Sequence, residues 1–175
     1  MVIASGDALD KYWHVMPESP VRACAYMSDG TIVACEQPPT YPIAALPAMV
    51  EACVNVAYMI ESDGSTRGGK VLRTVLSRVA GPDVEEDFAA VALRQVESLE
   101  YEPTGKNAGR QPVLTNTIID FSIDSDRIVT PGSGRPAPVD PAQQARSDVG
   151  KNRLHHKCEV DRRQLEEAWP TRDDR

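Results

Sequence analysis

A glycine-rich segment that carries two basic residues is the part of this sequence whose residue types and spacing could do chemistry. Residues 64–70 read GSTRGGK and fit the frame G-x-x-x-x-G-K of a phosphate-binding loop. In such a loop, backbone N–H groups and the lysine hold a phosphate group at the start of a helix. The candidate phosphate-binding residues are Gly64, Arg67, Gly69 and Lys70. The frame is incomplete, because Val71 stands where a serine or threonine hydroxyl should bind magnesium.

Two interpretations of this segment remain open from the sequence. In the first, the protein binds a phosphate or a nucleotide, and Asp120 holds an accompanying metal ion. In the second, the glycines form a plain turn, since a chain with 11 glycines matches such a frame easily by chance. The second interpretation requires no ligand, and with it we predict no cofactor and no bound metal.

The C-terminal region contains a second group of candidate metal ligands, His155, His156 and Cys158. Neighbouring histidines point in different directions on a helix, so they would need ligands from elsewhere to share one ion. A solvent-exposed polar helix is the simpler interpretation. The sequence also contains no nucleophile elbow, no H-E-x-x-H motif and no Rossmann fingerprint, which favours a protein that is not an enzyme.

Three apolar segments are predicted to be helices around the glycines. Residues 47–61 are apolar except at Glu51, Asn55 and the terminal Glu61 and are long for one strand, although the β-branched content of VNVAYMI keeps a strand possible. A second helix is predicted to begin at Lys70, because Val71, Leu72, Val75, Leu76 and Val79 recur at helical spacing. A third begins with Asp83 as its N-cap and buries Phe88, Ala92 and Val96.

The glycine-rich segment is also the most basic part of the chain. No acidic residue lies between Gly64 and Pro82, whereas Arg67, Lys70, Arg73 and Arg78 carry positive charge. The third helix begins with several acidic residues, and we predict that these neutralise the basic side chains beside them.

Two hairpins complete the predicted fold. An Asp29-Gly30 type I′ turn would pair Cys24 with Cys35, within reach of a disulfide bond. The four cysteines show no C-x-x-C spacing. Without an export signal we predict a cytoplasmic location, in which Cys24 and Cys35 are two buried thiols. In the second hairpin, residues 116–123 alternate, with Ile119 and Phe121 on one face, and turn into residues 127–129.

Composition sets the domain organisation. A chain of 175 residues with 41% hydrophobic residues can form one core, which we predict to be a small α+β domain over residues 1–130. Residues 131–150 are rich in proline and glycine and form a predicted linker. Residues 151–175 form a short helical arm whose apolar stripe contains Leu154, Cys158, Leu165 and Trp169.

The arm leads to the predicted function. We expect residues 151–175 to bind another protein chain, which makes this protein a non-catalytic structural or adaptor subunit of an assembly such as a viral particle or connector, with a homo-oligomer as one form of it. A net charge of -7 argues against nucleic acid as a partner, and no apolar run reaches the roughly 18 residues of a membrane span. The alternative function is phosphate or nucleotide binding at residues 64–70.

Overall fold

The structure of this chain is a computed structural model that describes residues 2–4, 6–16, 23–26, 32–36, 41–42, 45, 47, 49–122 and 153–169. In chain order, the elements are β1 (Val2–Ile3), α1 (Gly6–Leu9), β2 (Trp13–Val15), β3 (Ala23–Tyr26), β4 (Ile32–Glu36), β5 (Ala52–Ile60), β6 (Thr66–Leu76), α2 (Pro82–Glu97), β7 (Tyr101–Pro103), a 3-10 turn (Gly105–Asn107), β8 (Val113–Phe121), α3 (residues 153–158) and α4 (Arg162–Ala168). This mixture of strands and helices confirms the predicted α+β class.

The main sheet has the strand order β1-β8-β5-β6. Strand β1 is parallel to β8, whereas the β8–β5 and β5–β6 pairs are antiparallel. Two smaller antiparallel ribbons, β2–β7 and β3–β4, accompany it. Strand β5 therefore has a strand partner on each side.

Strand β5 replaces the helix predicted over residues 47–61, so that prediction is wrong. All nine of its residues are buried, because the sheet is covered on both faces. A strand buried on both faces shows no alternation of apolar and polar residues, and its sequence resembles that of a buried helix. The β-branched content of the segment indicated the correct element.

Strand β6 replaces the helix predicted to begin at Lys70, and this prediction is also wrong. Val71 and Leu76 pack in the core beneath α2, whereas Leu72 packs on the opposite face of the sheet. The apolar residues of β6 lie on both faces of the strand, and their combined spacing in the sequence matches that of one face of a helix. The irregularity consists of two β-bulges in the pairing with β5, at Asn55/Val56 and at Ala57/Met59.

Helix α2 covers one face of the sheet and confirms the third predicted helix. Phe88, Ala92 and Val96 are buried, as predicted. Its N-cap is Gly81 rather than the predicted Asp83, because Pro82 occupies the first turn, where its missing N–H costs nothing. The core beneath it contains the β5 side chains Val54, Val56, Tyr58 and Ile60.

The two predicted hairpins are only partly described. Cys24 pairs with Cys35 as predicted, but a bulge pairs Tyr26 with Ile32, so the predicted register fails next to the turn. The side chains of β3 and β4 lie outside the described part of the chain. Strand β8 buries Ile119 and Phe121 on one face, as predicted. Residues 127–129 and the predicted linker 131–150 lie outside the described residues.

Candidate functional site

Gly64, the first residue of the predicted phosphate-binding loop, lies in the turn between β5 and β6. Its N–H donates to the carbonyl oxygen of Glu61 at 3.0 Å, and its carbonyl oxygen accepts from the N–H of Tyr101 at 2.9 Å. Its φ is 92°, and a methyl group built on it would collide with the Tyr101 carbonyl oxygen. The turn and the close approach of β7 account for this glycine.

The other candidate phosphate-binding residues, Arg67, Gly69 and Lys70, lie in β6. No helix begins at Lys70, so the helix N-terminus on which a phosphate-binding loop depends is missing, and that part of the prediction is wrong. A methyl group on Gly69 would lie 3.0 Å from Cδ2 of Leu93 in α2, so close packing explains this glycine. Arg67 is 3.8 Å from the Glu61 carboxylate, and its side chain is 72% exposed.

Arg67, Lys70 and Arg73 lie on one face of the sheet. Their partners on β5 are Met59, Ala57 and Asn55, which are alternate residues of that strand. In a regular strand, side chains three residues apart point to opposite faces of the sheet. Each bulge adds one residue to β6, so the next basic side chain points to the same face as the previous one. The predicted neutralisation by α2 is therefore wrong for these three side chains, since α2 packs on the other face.

Helices α3 and α4, the C-terminal arm, lie on this basic face. Lys70 Nζ donates to the carbonyl oxygen of Ala168 at 3.1 Å. Arg73 Nη1 donates to the carbonyl oxygens of Lys157 at 3.1 Å and Glu159 at 3.0 Å. The last carbonyl groups of a helix have no donor within the helix and carry partial negative charge. The two basic side chains thus bind the C-terminal ends of α3 and α4.

A small apolar contact fixes α4 on the sheet. Leu165 is 2% exposed and packs with Ala57 and Met59 of β5 and Leu114 of β8. Trp169, which ends α4, lies over Gly68, where any larger residue would collide with the indole ring. The positive φ of 69° and the indole ring together account for Gly68.

A disulfide bond between Cys53 and Cys158 joins β5 to the last residue of α3. Beside it, Asn55 Nδ2 donates to the carbonyl oxygen of Cys158 at 2.9 Å, and Asn116 Nδ2 donates to Asn55 Oδ1 at 3.1 Å. At the surface, His155 Nδ1 and Asp120 Oδ2 are 2.6 Å apart. Contacts from β5, β6 and β8 thus converge on α3.

Sequence reasoning missed this disulfide bond, because its cysteines are 105 residues apart and follow no motif. One signal was present. Asn55 is a polar residue within an apolar run, and a buried amide requires hydrogen-bond partners from another part of the chain.

The predicted partner-binding residues lie against this chain's own sheet. Cys158 and Leu165 are buried there, while Leu154 and Trp169 are half-buried. The arm was predicted to bind another protein chain, but the structure shows that its own sheet supplies a docking surface. The predicted apolar stripe is the part of the arm that faces this surface.

The candidate metal ligands of the C-terminal region, His155, His156 and Cys158, do not form a metal site among the described residues. No group of three or more His, Cys, Asp or Glu side chains among them could hold a metal ion. His155 faces Asp120, His156 lies 2.8 Å from Glu159, and Cys158 is bonded to Cys53.

No helix in the described part of the chain has the length and apolar character needed to cross a membrane.

A buried tyrosine pair lies on the α2 side of the sheet. The hydroxyl oxygens of Tyr58 and Tyr101 are 2.6 Å apart. Burial raises the pKa of Tyr58 well above its ordinary value, and the nearby Tyr101 phenol raises it further. Burial also raises the pKa of Tyr101. Both phenols are therefore kept neutral, as partners in one hydrogen bond.

Comparison with known proteins identifies no family. No protein-family model matches the chain, and no curated protein matches it. Among solved structures, the solution NMR structure of the TonB CTD of Pseudomonas aeruginosa is similar at 20% sequence identity and a TM-score of 0.39. The match covers 60% of this chain and 99% of that chain. A TM-score of this size does not establish a common fold.

Proposed function

We propose that this protein is a non-catalytic structural or adaptor subunit that binds other protein chains through its C-terminal arm. The arm of one copy would dock on the sheet of a neighbour through the contacts it makes with its own sheet. The observation that carries this proposal is the docking surface itself. Asn55, Lys70 and Arg73 all donate to main-chain carbonyl oxygens of the arm.

Main-chain recognition makes this surface able to accept an arm from another copy. The donors bind the ends of helices, and Leu165 supplies the apolar anchor, as when an amphipathic helix binds a groove. The arm and the body are connected through residues 123–152, which when fully extended reach roughly 100 Å. This length lets the arm reach its own sheet or that of an adjacent copy.

The docking contacts are the same whether the arm binds its own sheet or that of an adjacent copy. The relative concentrations of these two sheets around the arm would therefore decide which one it binds. Because the arm and its own sheet belong to one chain, the effective concentration of the arm at that sheet is on the order of millimolar. Separate molecules in dilute solution would therefore stay closed. Exchange would become extensive only where copies are packed together at similar concentrations, as in the predicted viral particle or connector.

Complementary cysteine variants test this proposal. A Cys53→Ser chain keeps Cys158, and a Cys158→Ser chain keeps Cys53, so neither chain alone can form the native bond. The two full-length variants are mixed under reducing conditions at about millimolar concentration, where the two forms compete evenly. The mixture is then oxidised, and the linked peptides are identified by mass spectrometry.

The expected result is a Cys53–Cys158 bond between the two chains, in an amount that rises with protein concentration. Each variant oxidised alone is the matched control and reports bonds made by the other cysteines. If the mixture lacks this linked peptide while the wild-type chain oxidises normally under the same conditions, the arm does not dock on neighbours and the proposal fails.

The cytoplasmic location stays a prediction. Disulfide bonds persist in oxidising surroundings and are rare where cytosolic thiol systems operate. A chain with a Cys53–Cys158 bond is therefore expected to meet an oxidant at some stage, even if it is assembled in the cytoplasm.

A further inference from the structure

We propose that the Cys53–Cys158 bond is a redox latch on the docking surface. With both cysteines as thiols, the arm can leave the sheet and exchange with a neighbour; with the bond formed, the arm is fixed where it lies. This inference rests on the proposed function, because it concerns the control of the same docking surface.

The position of the bond supports this role. Cys53 belongs to β5, which has strand partners on both sides, and Cys158 is the last residue of α3. The bond thus ties the arm to an interior strand of the sheet. Breaking it leaves the pairing of β5 with β6 and β8 in place.

The remaining contacts of the arm are few and partly exposed. The Lys70–Ala168 and Arg73–Lys157 hydrogen bonds lie at the surface, as does the His155–Asp120 pair. Surface contacts of this kind are weaker than buried ones, because water and salt compete with them. Helix α4 has seven residues, and a helix of this length is not stable by itself in water. Without the bond, the arm depends on Leu165, Trp169 and the buried Asn55 amide.

Both cysteines are buried, which decides how the latch works. Each is 0% exposed, so a reagent reaches the sulfur atoms only when α3 has lifted from the sheet. An external oxidant therefore reacts with a cysteine while α3 is lifted, the bond closes as the arm docks, and reduction is limited by how often the arm opens.

The chemistry is thiol–disulfide exchange with an external disulfide or dithiol. In closing, one cysteine thiolate attacks an oxidant of the disulfide class and releases its first thiol. The second cysteine thiolate then attacks the protein sulfur of the mixed disulfide, which forms the Cys53–Cys158 bond and releases the second thiol. Two electrons and two protons pass to the oxidant. A dithiol reverses both steps and leaves as a disulfide.

Hydrogen–deuterium exchange of the full chain tests the latch. The oxidised protein, the protein reduced with dithiothreitol and the Cys53→Ser/Cys158→Ser variant are compared. In the last two, the acceleration of exchange is expected to be roughly tenfold larger for amides of residues 153–169 than for amides of α2, which report only the general loss of stability. Unchanged exchange in the arm would overturn the inference. An equal acceleration in α2 would also overturn it, because the bond would then hold the whole fold.

The reduction rate provides a second test with a matched pair of variants. Arg73→Gln removes two hydrogen bonds to the arm. Arg67→Gln is the control, because Arg67 lies on the same strand and the same side of the sheet but its side chain is close to Glu61. Reduction of the native bond is expected to be roughly three- to tenfold faster in Arg73→Gln and unchanged in Arg67→Gln. Equal rates in both variants would show that opening of α3 does not control the bond.

The two proposals can fail independently. If complementary chains cross-link but the bond does not change hydrogen–deuterium exchange in the arm, the proposed docking on neighbours holds and the proposed latch fails. If reduction frees the arm but complementary chains never cross-link, the latch controls only this chain's own arm.

Discussion

The side-chain amide of Asn55 lies 2.9 Å from the carbonyl oxygen of Cys158, and both residues are fully buried. The only amide side chain in β5 is thus used to hold the arm. Asn116 fixes its orientation, because the Asn116 amide donates to the Asn55 side-chain oxygen. The polar residue that interrupts the apolar run therefore specifies where α3 docks.

Replacing Asn55 by alanine should lower the free energy of unfolding of the oxidised protein by about 2–3 kcal/mol. The variant leaves the Cys158 carbonyl oxygen and the Asn116 amide without their partner. Urea unfolding under non-reducing conditions measures the difference. Asn116→Ala is the matched control and should cost less, because the Asn55–Cys158 hydrogen bond survives. Equal losses in both variants would contradict this account.

Removing the disulfide bond should lower the free energy of unfolding by about 2–5 kcal/mol, because a bond across a long loop restricts the unfolded chain. The sequence separation of 105 residues places this bond among the long loops. Denaturant titration of the wild-type chain with and without reductant, and of Cys53→Ser/Cys158→Ser, gives the value. The reduced wild type and the double variant should agree. A double variant as stable as the oxidised protein would contradict the expectation.

Phosphate compounds should not stabilise this protein. Lys70 lies in a strand and binds the Ala168 carbonyl oxygen, and no helix N-terminus follows it. A ligand at a hundred times its dissociation constant would stabilise the fold by about 2.7 kcal/mol, which a thermal shift would reveal. We expect no shift with ATP, GTP or polyphosphate. A shift that Lys70→Ala abolishes would restore phosphate binding as a function.

Gly64→Ala should destabilise the fold by roughly 1–3 kcal/mol, because alanine is strained at positive φ. Its φ is 92°, and the added methyl group would also collide with the Tyr101 carbonyl oxygen. Gly105→Ala is the control, since a methyl group there meets nothing within 4 Å. The melting temperatures of the two variants should differ clearly. Similar values would show that the turn can adjust.

Stability should fall as the pH rises above about 10, the ordinary tyrosine pKa. The folded state raises the pKa of Tyr58 far above this value, so the unfolded chain loses the proton first and rising pH favours unfolding. Tyr58→Phe should flatten this loss while costing about 1 kcal/mol at neutral pH, because Tyr101 loses its partner. Circular dichroism across alkaline pH provides the test. An unchanged slope would exclude Tyr58 as its source.

Patterns that depend on one exposed face were predicted correctly from the sequence. Helix α2 has a polar outer side, and residues 118–121 of β8 alternate between buried and more exposed positions. Strands β5 and β6 were missed for the opposite reason. In β5 both faces are covered, so apolar residues do not alternate with polar ones. In β6 the bulges interrupt the two-residue alternation that identifies a strand.

The candidate site depended on contacts that are distant in sequence. The stripe of Leu165 and Trp169 was recognisable as a docking face, but its target was not. Lys70 and Arg73 bind main-chain carbonyl oxygens, which every residue carries and which leave no mark in the sequence. The pairing of Cys53 with Cys158 likewise appears only after folding.

The bond between Cys53 and Cys158 also closes the polypeptide into a covalent ring. A protease that nicks the chain once between these residues, for example within 123–152, produces two fragments that still migrate as one species on a non-reducing gel. A single band on a non-reducing gel would therefore not show that the chain is uncut, whereas a reduced sample would separate the two fragments.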